Sequence, residues 1–148
     1  MKVNVKFKKL SPLASVPTYG TEFSAGADLC YAGEEPITIE AGKTVLVHTG
    51  IAMEIPEGLV GLVFARSGLA SKRSLAPANK VGVIDSDYRG EIMVALHNHS
   101  NEPQTIDGHE RIAQLVLVPY IAAAFEEADE LDETLRGAGG FGSTGRGV

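Results

Sequence analysis

The sequence predicts an all-β protein, a jelly-roll-like β-sandwich built from short strands. Three observations support this fold class. Apolar and polar residues alternate in many short segments, turn signals separate these segments, and the apolar spacing of an amphipathic helix is scarce. The alternating segments are residues 3–7, 37–39, 45–47, 51–55 and 92–96.

Two further segments are more continuously apolar, "GLVGLVF" at residues 58–64 and "LVLV" at residues 115–118. Such runs are expected in strands that are buried on both faces. Turns are expected at "EAGK", "IPEG", "IDSDYRG" and "IDGHE", and a turn or two of helix at "LASK". The segment "FEEADELDETL" has the composition of a helix, but its apolar spacing is thin, so an extended acidic connector is the alternative. We therefore predict one β domain over residues 1–125, followed by a connector and a flexible glycine-rich C-terminal arm over residues 126–148.

Length and charge restrict the classes of function. The chain has 148 residues, enough for one domain with its own core, and a net charge of −6 at pH 7. We expect no binding to nucleic acid or to a membrane, which requires clustered positive charge, although local arginines can bind a small anion. The single cysteine, Cys30, lies in an apolar pattern that favours a buried filler over a nucleophile. Without a signal-peptide pattern or an apolar run that could span a bilayer, a cytoplasmic location is expected.

The segment "GFGSTG", residues 140–145, matches the pattern G-x-G-x-x-G. The dinucleotide fingerprint requires a helix after this pattern, for which too few residues follow, and the lysine of a P-loop is absent. One interpretation is a disordered end. The other is a phosphate-binding arm, because glycines let successive N–H groups approach an anion and Phe141 stands two residues before Ser143 and Thr144. An aromatic ring close to phosphate-binding hydroxyls suits a nucleotide.

Polar residues also follow two apolar strands. "RSG" at residues 66–68 offers a guanidinium fork and a hydroxyl to phosphate oxygens, or else forms a surface turn. Asp85 ends the apolar run of residues 81–84, where partial desolvation would make it a better base near neutral pH. An ordinary aspartate-rich turn is the alternative. Tyr88 could form a flat wall for a sugar, and the whole stretch predicts a β-hairpin or a tight bend.

Four other polar residues are less specific. Gln114 lies in an apolar strand and needs hydrogen-bond partners from the backbone or from a ligand. Asp28 has the setting of a turn or N-cap aspartate. His97 and His99 share one face of a strand, but no third metal ligand is evident.

Taken in order, five segments resemble the motifs of the trimeric dUTP pyrophosphatases (dUTPases). They are "AGADLCYA", "ARSGLASK", "GVIDSDYRGE", "RIAQLVL" and "RGAGGFGSTG", within about residues 23–145. The resemblance implies a homotrimer that uses Mg²⁺ to hydrolyse dUTP to dUMP and pyrophosphate, keeping uracil out of DNA and supplying dUMP for thymidylate synthesis. It also implies sites built from three subunits, with the arm of one subunit closing over the pocket of another.

The resemblance also implies a role for each matching residue. Asp85 resembles the general base that activates water for in-line attack on the α-phosphorus, and Asp28 resembles a residue that holds Mg²⁺ through its water ligands. Tyr88 resembles the residue that packs under the deoxyribose and excludes a 2′-hydroxyl. The other implied substrate contacts in the β domain are Arg66, Ser67, Gly68, Asn79, Val83, Ile84, Met93 and Gln114. In the arm they are Arg136, Phe141 (stacked on uracil), Gly142, Ser143 and Thr144.

Two positions depart from the family pattern. Ala65 stands where proline is frequent and Arg73 where histidine is frequent, and neither change removes a catalytic side chain. Two alternatives remain open. A dCTP deaminase resembles the same fold and would attack the base ring, whereas a nucleotide-binding regulator would have lost catalysis. The intact Asp85 and arm favour hydrolysis.

Overall fold

The computed structural model describes residues 2–141, and within this range it contains eleven strands and one short helix. Every strand pair is antiparallel. The predicted all-β fold is therefore confirmed. In chain order the elements are β1 (Lys6–Lys9), β2 (Thr18–Tyr19), β3 (Ala27–Cys30), β4 (Ile37–Ile39), β5 (Thr44–Glu54), β6 (Leu59–Phe64), α1 (Ser67–Arg73), β7 (Leu75–Pro77), β8 (Gly82–Ile84), β9 (Glu91–Asn98), β10 (Gln104–Ile106) and β11 (Arg111–Pro119).

Two main sheets form the sandwich. One has four strands in the order β1-β5-β9-β7, and the other has five in the order β2-β3-β11-β6-β8, while β10 and β4 form a separate pair. Inward side chains of both main sheets meet in one core. The alternation is clearest in β9, where Ile92, Val94 and Leu96 are buried and the residues between them are half-exposed. The alternating sequence thus forms strands with one buried face, as predicted.

The strands β6 and β11 differ from the sequence prediction. Val63 and Leu115 point into the core, whereas their neighbours Leu62 and Val116 are half-buried on the outward face, opposite each other in the ladder. The prediction of burial on both faces is wrong for the single chain. The continuous apolar run reflects a second, outward apolar surface, which the chain itself does not cover.

Helix α1 forms at the predicted "LASK" segment and ends at Ser74, which adopts a left-handed conformation with φ 54°. Its Leu69 is buried in the core. Arg73 at its last turn forms an ion pair with Glu110 and donates a hydrogen bond to the Thr105 carbonyl. The residue that departs from the family pattern therefore ties α1 to the turn between β10 and β11.

Residues 120–141 contain neither helix nor strand. Apolar side chains along this segment are almost fully exposed, among them Phe125, Leu131 and Leu135. The division into a β domain (1–125) and an arm (126–148) stays a prediction. Across the described residues, no helix has the length and apolar character needed to cross a membrane.

Candidate active site

One polar groove collects the residues of the β domain that are predicted to contact phosphate. It has a volume of about 610 Å³ and lies where β3, β11 and the start of α1 meet. We call it the anion groove. The predicted residues that line it are Asp28, Arg66, Ser67, Gly68 and Gln114, and Arg111 lines it as well.

Asp28 holds two arginines at the anion groove. Its Oδ1 accepts a hydrogen bond from Arg66 Nε at 2.8 Å, and its Oδ2 accepts one from Arg111 Nη1 at 3.1 Å. The Asp28 side chain is 12% exposed, and it lies in a strand, so the turn or N-cap interpretation is wrong. Each contact uses one of the five N–H donors of a guanidinium, which leaves donors on both arginines for phosphate oxygens.

Arg111 was missed by the sequence reasoning. Arg111 and Gln114 are three positions apart, and because side chains alternate along a regular strand, this spacing predicts that they lie on opposite faces. The structure has a register shift between Arg111 and Ala113, where β11 pairs with β3. A bulge adds one residue to the strand and so brings Arg111 to the face that carries Gln114. An arginine at the start of an apolar strand was the one sequence feature that could have indicated Arg111. The bulge that turns it toward the groove could not be recognised from the sequence.

Gln114 is fixed by the backbone around it. Its Nε2 donates to the Ala65 carbonyl at 2.9 Å. A Cβ at Gly26 would lie 2.4 Å from the Gln114 Oε1, so a residue without a side chain is needed beside the amide. Ser67 and Gly68 are exposed at the start of α1. The groove is therefore open to solvent along this edge.

Asp85 and Val83 line a second groove, of about 840 Å³, on the outward face of β6 and β8. Asp85 follows the last residue of β8 and is exposed, so the desolvation expected from its apolar neighbours is not present in the single chain. The bend after it is closed by hydrogen bonds from Tyr88 N to the Asp85 carbonyl (3.2 Å) and from Arg89 Nη1 to the Ser86 carbonyl (2.6 Å). Because β8 and β9 belong to different sheets, the segment is a tight bend and not a β-hairpin.

The residues expected to contact sugar and base lie on either side of this bend. Tyr88 is 40% exposed, and Met93 is half-buried on the outward side of β9. Asn79 is exposed in a turn in which Val81 N donates to the Asn79 carbonyl at 2.7 Å. Ile84 packs against the core, so its side chain does not face a ligand, although its backbone borders the bend.

The described part of the arm carries two predicted contacts. Arg136 Nε donates to the Gly139 carbonyl at 2.9 Å, and the Phe141 ring is fully exposed. The other three arm residues, Gly142, Ser143 and Thr144, lie outside the described residues. Between residues 134 and 141 the hydrogen bonds found are local to the arm.

Asp85 and the anion groove are far apart in one chain. Asp85 follows Ile84, which lies opposite Gly61 on β6, whereas Arg66 lies beyond the other end of that strand. The path from residue 61 to residue 66 corresponds to roughly 16 Å at about 3.3 Å per residue. The two grooves also have no lining residue in common. The structure therefore divides the predicted site residues into separate groups.

Three other reactive side chains, those of Cys30, His97 and His99, have no catalytic setting. Desolvation by burial, reinforced by the nearby Asp28 carboxylate, raises the pKa of the Cys30 thiol. The thiol therefore stays protonated near neutral pH, which disfavours a role as nucleophile. His97 and His99 contact each other edge to face, with ring centroids 4.4 Å apart. Among residues 2–141 no group of three or more His, Cys, Asp or Glu residues could hold a metal ion.

An all-β chain with arginines gathered at an open groove and an aspartate at a strand end has the features of a nucleotide hydrolase. The dUTPase family model matches residues 13–145. The deoxyuridine 5′-triphosphate nucleotidohydrolase of Desulfitobacterium hafniense is 51% identical over 98% of this chain and 97% of that protein. The protein of the same name from Hahella chejuensis is 46% identical over 97% of this chain and 95% of that protein.

Solved structures give the same result. The dUTPase of Staphylococcus bacteriophage 80alpha with dUpNHpp has a TM-score of 0.87 at 29% identity, covering 98% of this chain and 100% of that chain. A mutant dUTPase from phage phi11 of S. aureus, in which a structural Mg(II) ion is described, has a TM-score of 0.77 at 26% identity, covering 86% of this chain and 98% of that chain. The chain belongs to the dUTPase family, the enzymes that hydrolyse dUTP to dUMP and pyrophosphate.

Proposed function

We propose that this chain hydrolyses dUTP at a site composed from several copies, with Asp85 of one copy facing the anion groove of another. The separation along β6 carries this proposal. A base must lie within about 2.6–3.2 Å of the water it activates, directly or through one further water. Asp85 and Arg66 of the same chain are too far apart for both to act on one phosphate group.

The outward apolar face of the five-stranded sheet supports an assembly of copies. Val83, Leu62 and Val116 lie side by side across β8, β6 and β11, and Val60 lies opposite Val118 in the next outward row. All of these side chains are at least partly exposed in the single chain. Contiguous apolar surface of this kind is typical of a protein interface. We infer a homotrimer, the assembly that the family resemblance implies.

The anion groove is proposed to bind the phosphates. Arg66 and Arg111 supply charge, and the Asp28 carboxylate between them fixes both guanidinium groups before substrate arrives. Ser67, Gly68 and Gln114 add hydrogen-bond donors around the same opening. Phosphoryl transfer requires mainly positioning and charge neutralisation from a protein, and a set of donors held in place provides both.

Asp85 is proposed to be the general base. Its carboxylate accepts a proton from a water molecule as the water oxygen forms a bond to the α-phosphorus. The bond from that phosphorus to the bridging oxygen breaks, and pyrophosphate leaves with the electron pair. A positioned base typically contributes a factor of about 10²–10⁴. Asp85 is exposed in the single chain, so the neighbouring copy and the bound substrate would provide the surroundings that exclude water.

Sugar and base are proposed to bind beside the bend after β8. The Tyr88 ring and Met93 would pack against the deoxyribose, which leaves no room for a 2′-hydroxyl. Asn79, with the backbone of Val83 and Ile84, would pair with the uracil edge. A site that hydrogen-bonds one edge pattern can reject a mismatched one by roughly 10⁴–10⁵. Thymine differs by a methyl group and would be excluded by the tight fit.

Mg²⁺ is proposed as the cofactor, and the donor set fits an ion held mainly by substrate and water. Mg²⁺ usually keeps several waters and binds through substrate phosphates with one or two carboxylates. Asp28 is the carboxylate at the anion groove, and its oxygens can accept hydrogen bonds beyond the two from Arg66 and Arg111. Asp28 would therefore hold the ion through its water ligands. When bound, the ion neutralises charge on the triphosphate.

The arm is proposed to close over the site of another copy. Arg136, Gly142, Ser143 and Thr144 would contact the phosphates, and Phe141 would stack on uracil. The full exposure of Phe141 and Leu135 in the single chain supports this proposal, because the arm's own chain leaves these apolar side chains uncovered. Closure of a lid excludes water and completes the site. As the substrate is a free deoxynucleotide, we place the enzyme in the cytoplasm.

A pyrophosphate-release assay across dUTP, UTP, dCTP and dTTP tests the proposed selectivity and the cofactor. We expect turnover of dUTP that depends on Mg²⁺ and falls when a chelator is added. Activity on UTP, dCTP and dTTP should be lower by about a hundredfold or more. Comparable turnover of all four nucleotides would contradict the proposed sugar and base contacts, and release of ammonia from dCTP would indicate attack on the base ring.

A further inference from the structure

We propose that Glu91 is a positioning residue for Tyr88, and that a bulge in β5 holds Glu91 in place. This proposal rests on the proposed role of Tyr88 as the wall that excludes a ribose. The resemblance to the family assigns no role to Glu91, which starts β9 immediately after the bend. Its side chain and its backbone carbonyl make separate contacts, and together they link the bulge to the tyrosine.

The bulge lies in the middle of β5. The register of β5 on β9 shifts between His48 and Ala52, so extra residues stand on the β5 side. Gly50 within the bulge has φ +66°, a conformation that L side chains rarely adopt. A Cβ at Gly50 would lie 2.8 Å from the Ala14 Cβ. Both the conformation and the space therefore require glycine at this position.

Three consecutive residues of the bulge form hydrogen bonds with the first two residues of β9. Gly50 N donates to Glu91 Oε1 at 2.7 Å, and His48 Nδ1 lies 2.9 Å from Glu91 Oε2. Thr49 Oγ1 donates to the Ile92 carbonyl at 2.5 Å. The Glu91 side chain is 21% exposed, so its contact with the Gly50 N–H is partly shielded from water. A carboxylate that accepts from a backbone N–H and a histidine has little freedom to move.

The backbone of Glu91 in turn holds the tyrosine ring. Tyr88 Oη donates to the Glu91 carbonyl at 2.8 Å. The ring folds back over Gly90, where a Cβ would lie 2.4 Å from Tyr88 Oη and 2.6 Å from its Cζ. The ring is therefore bounded by Gly90 on one side and tied at its hydroxyl to a residue that the bulge immobilises.

The consequence for substrate selection follows from this geometry. Excluding one hydroxyl group from a sugar requires a wall that cannot retreat, and a displacement of about 1 Å can change a rate by about a hundredfold. Glu91 contacts neither the anion groove nor the second groove. Its effect should therefore fall on the discrimination between dUTP and UTP more than on the chemistry of hydrolysis.

The test compares kcat/KM for dUTP and UTP in five variants. Glu91→Ala removes the acceptor for the Gly50 N–H, and Tyr88→Phe removes the hydroxyl that is tied to Glu91. Each should lower the dUTP-to-UTP preference by about tenfold or more, with a smaller loss of kcat on dUTP. Glu91→Gln keeps an oxygen for the Gly50 N–H and should restore most of the preference. Thr44→Val breaks the 2.8 Å hydrogen bond to His97 at the far end of the same strand pair and should leave the preference unchanged.

A folded Glu91→Ala protein with the native preference would overturn the proposal. Tyr88→Phe keeps the ring and alters an exposed site, so it reports on the same link should Glu91→Ala fail to fold. An unchanged preference in Tyr88→Phe would overturn the proposal as well. Tyr88→Ala distinguishes the proposed role of Glu91 from the proposed role of Tyr88. A native preference for dUTP over UTP in that variant would mean that Tyr88 does not form the sugar wall.

Discussion

Asp85→Asn is expected to bind dUTP with near-native affinity and to release almost no pyrophosphate. Asparagine keeps the size and shape of the side chain but cannot accept the proton of the attacking water. The loss should be about 10²–10⁴ in kcat. Because Asp85 is exposed at the end of β8, the substitution should leave the fold and the melting temperature unchanged. Calorimetric titration with dUTP and a pyrophosphate-release assay measure the two effects separately.

The neighbouring Asp87 provides a matched control. It is also an exposed aspartate in the same bend, and none of the proposed substrate or metal contacts involves it. Asp87→Asn should keep kcat within about twofold of native, since removal of one exposed charge without a role in the chemistry changes little. Normal turnover by Asp85→Asn would show that another group activates the water.

Removal of residues 136–148 is expected to reduce turnover by about a hundredfold or more while the β domain stays folded. The deletion takes away the proposed phosphate contacts and the stacking Phe141, so the site would stay open to water. No residue of segment 120–141 contributes to the buried core. The circular dichroism spectrum and the melting temperature should therefore match those of the full chain.

A second truncation makes this result specific. Removal of residues 145–148 alone leaves every proposed arm contact in place and should retain most of the activity. Native activity in the longer truncation, with residues 136–148 absent, would mean that the glycine-rich segment is an inert end.

Much of the fold was predictable because strands with one buried face alternate in sequence. The exposure of the outward faces of β6 and β11 could not be predicted, because Leu62 and Val116 are as apolar as the core residues beside them. Sequence periodicity cannot distinguish a residue buried by its own chain from one exposed for a partner chain. The sequence left two alternatives for the segment at Asp85, a β-hairpin or a tight bend, and the structure shows the tight bend, since β8 and β9 belong to different sheets.

The sequence predicted a set of candidate site residues but not how the fold would group them. The motifs identified Asp28, Arg66 and Gln114, which the structure brings together in the anion groove. Arg111 was missed because a bulge in β11 reverses the face on which it lies. The distance between Asp85 and Arg66 depends on strand register, which no local pattern specifies. The hydrogen bonds that Glu91 forms with His48 and Gly50 likewise join residues more than 40 positions apart in sequence.

The most direct test of a site shared between copies is complementation between two inactive variants. Asp85→Asn lacks the base and Arg66→Ala lacks a main phosphate contact, so each should be inactive alone. When equal amounts of the two chains are unfolded and refolded together, a site that takes Asp85 from an Arg66→Ala chain and Arg66 from an Asp85→Asn chain has both groups. Random assembly should then restore about a quarter of native activity. Activity that stays at the level of the separate variants, in trimers shown to contain both chains, would place both groups in one chain and contradict the shared site.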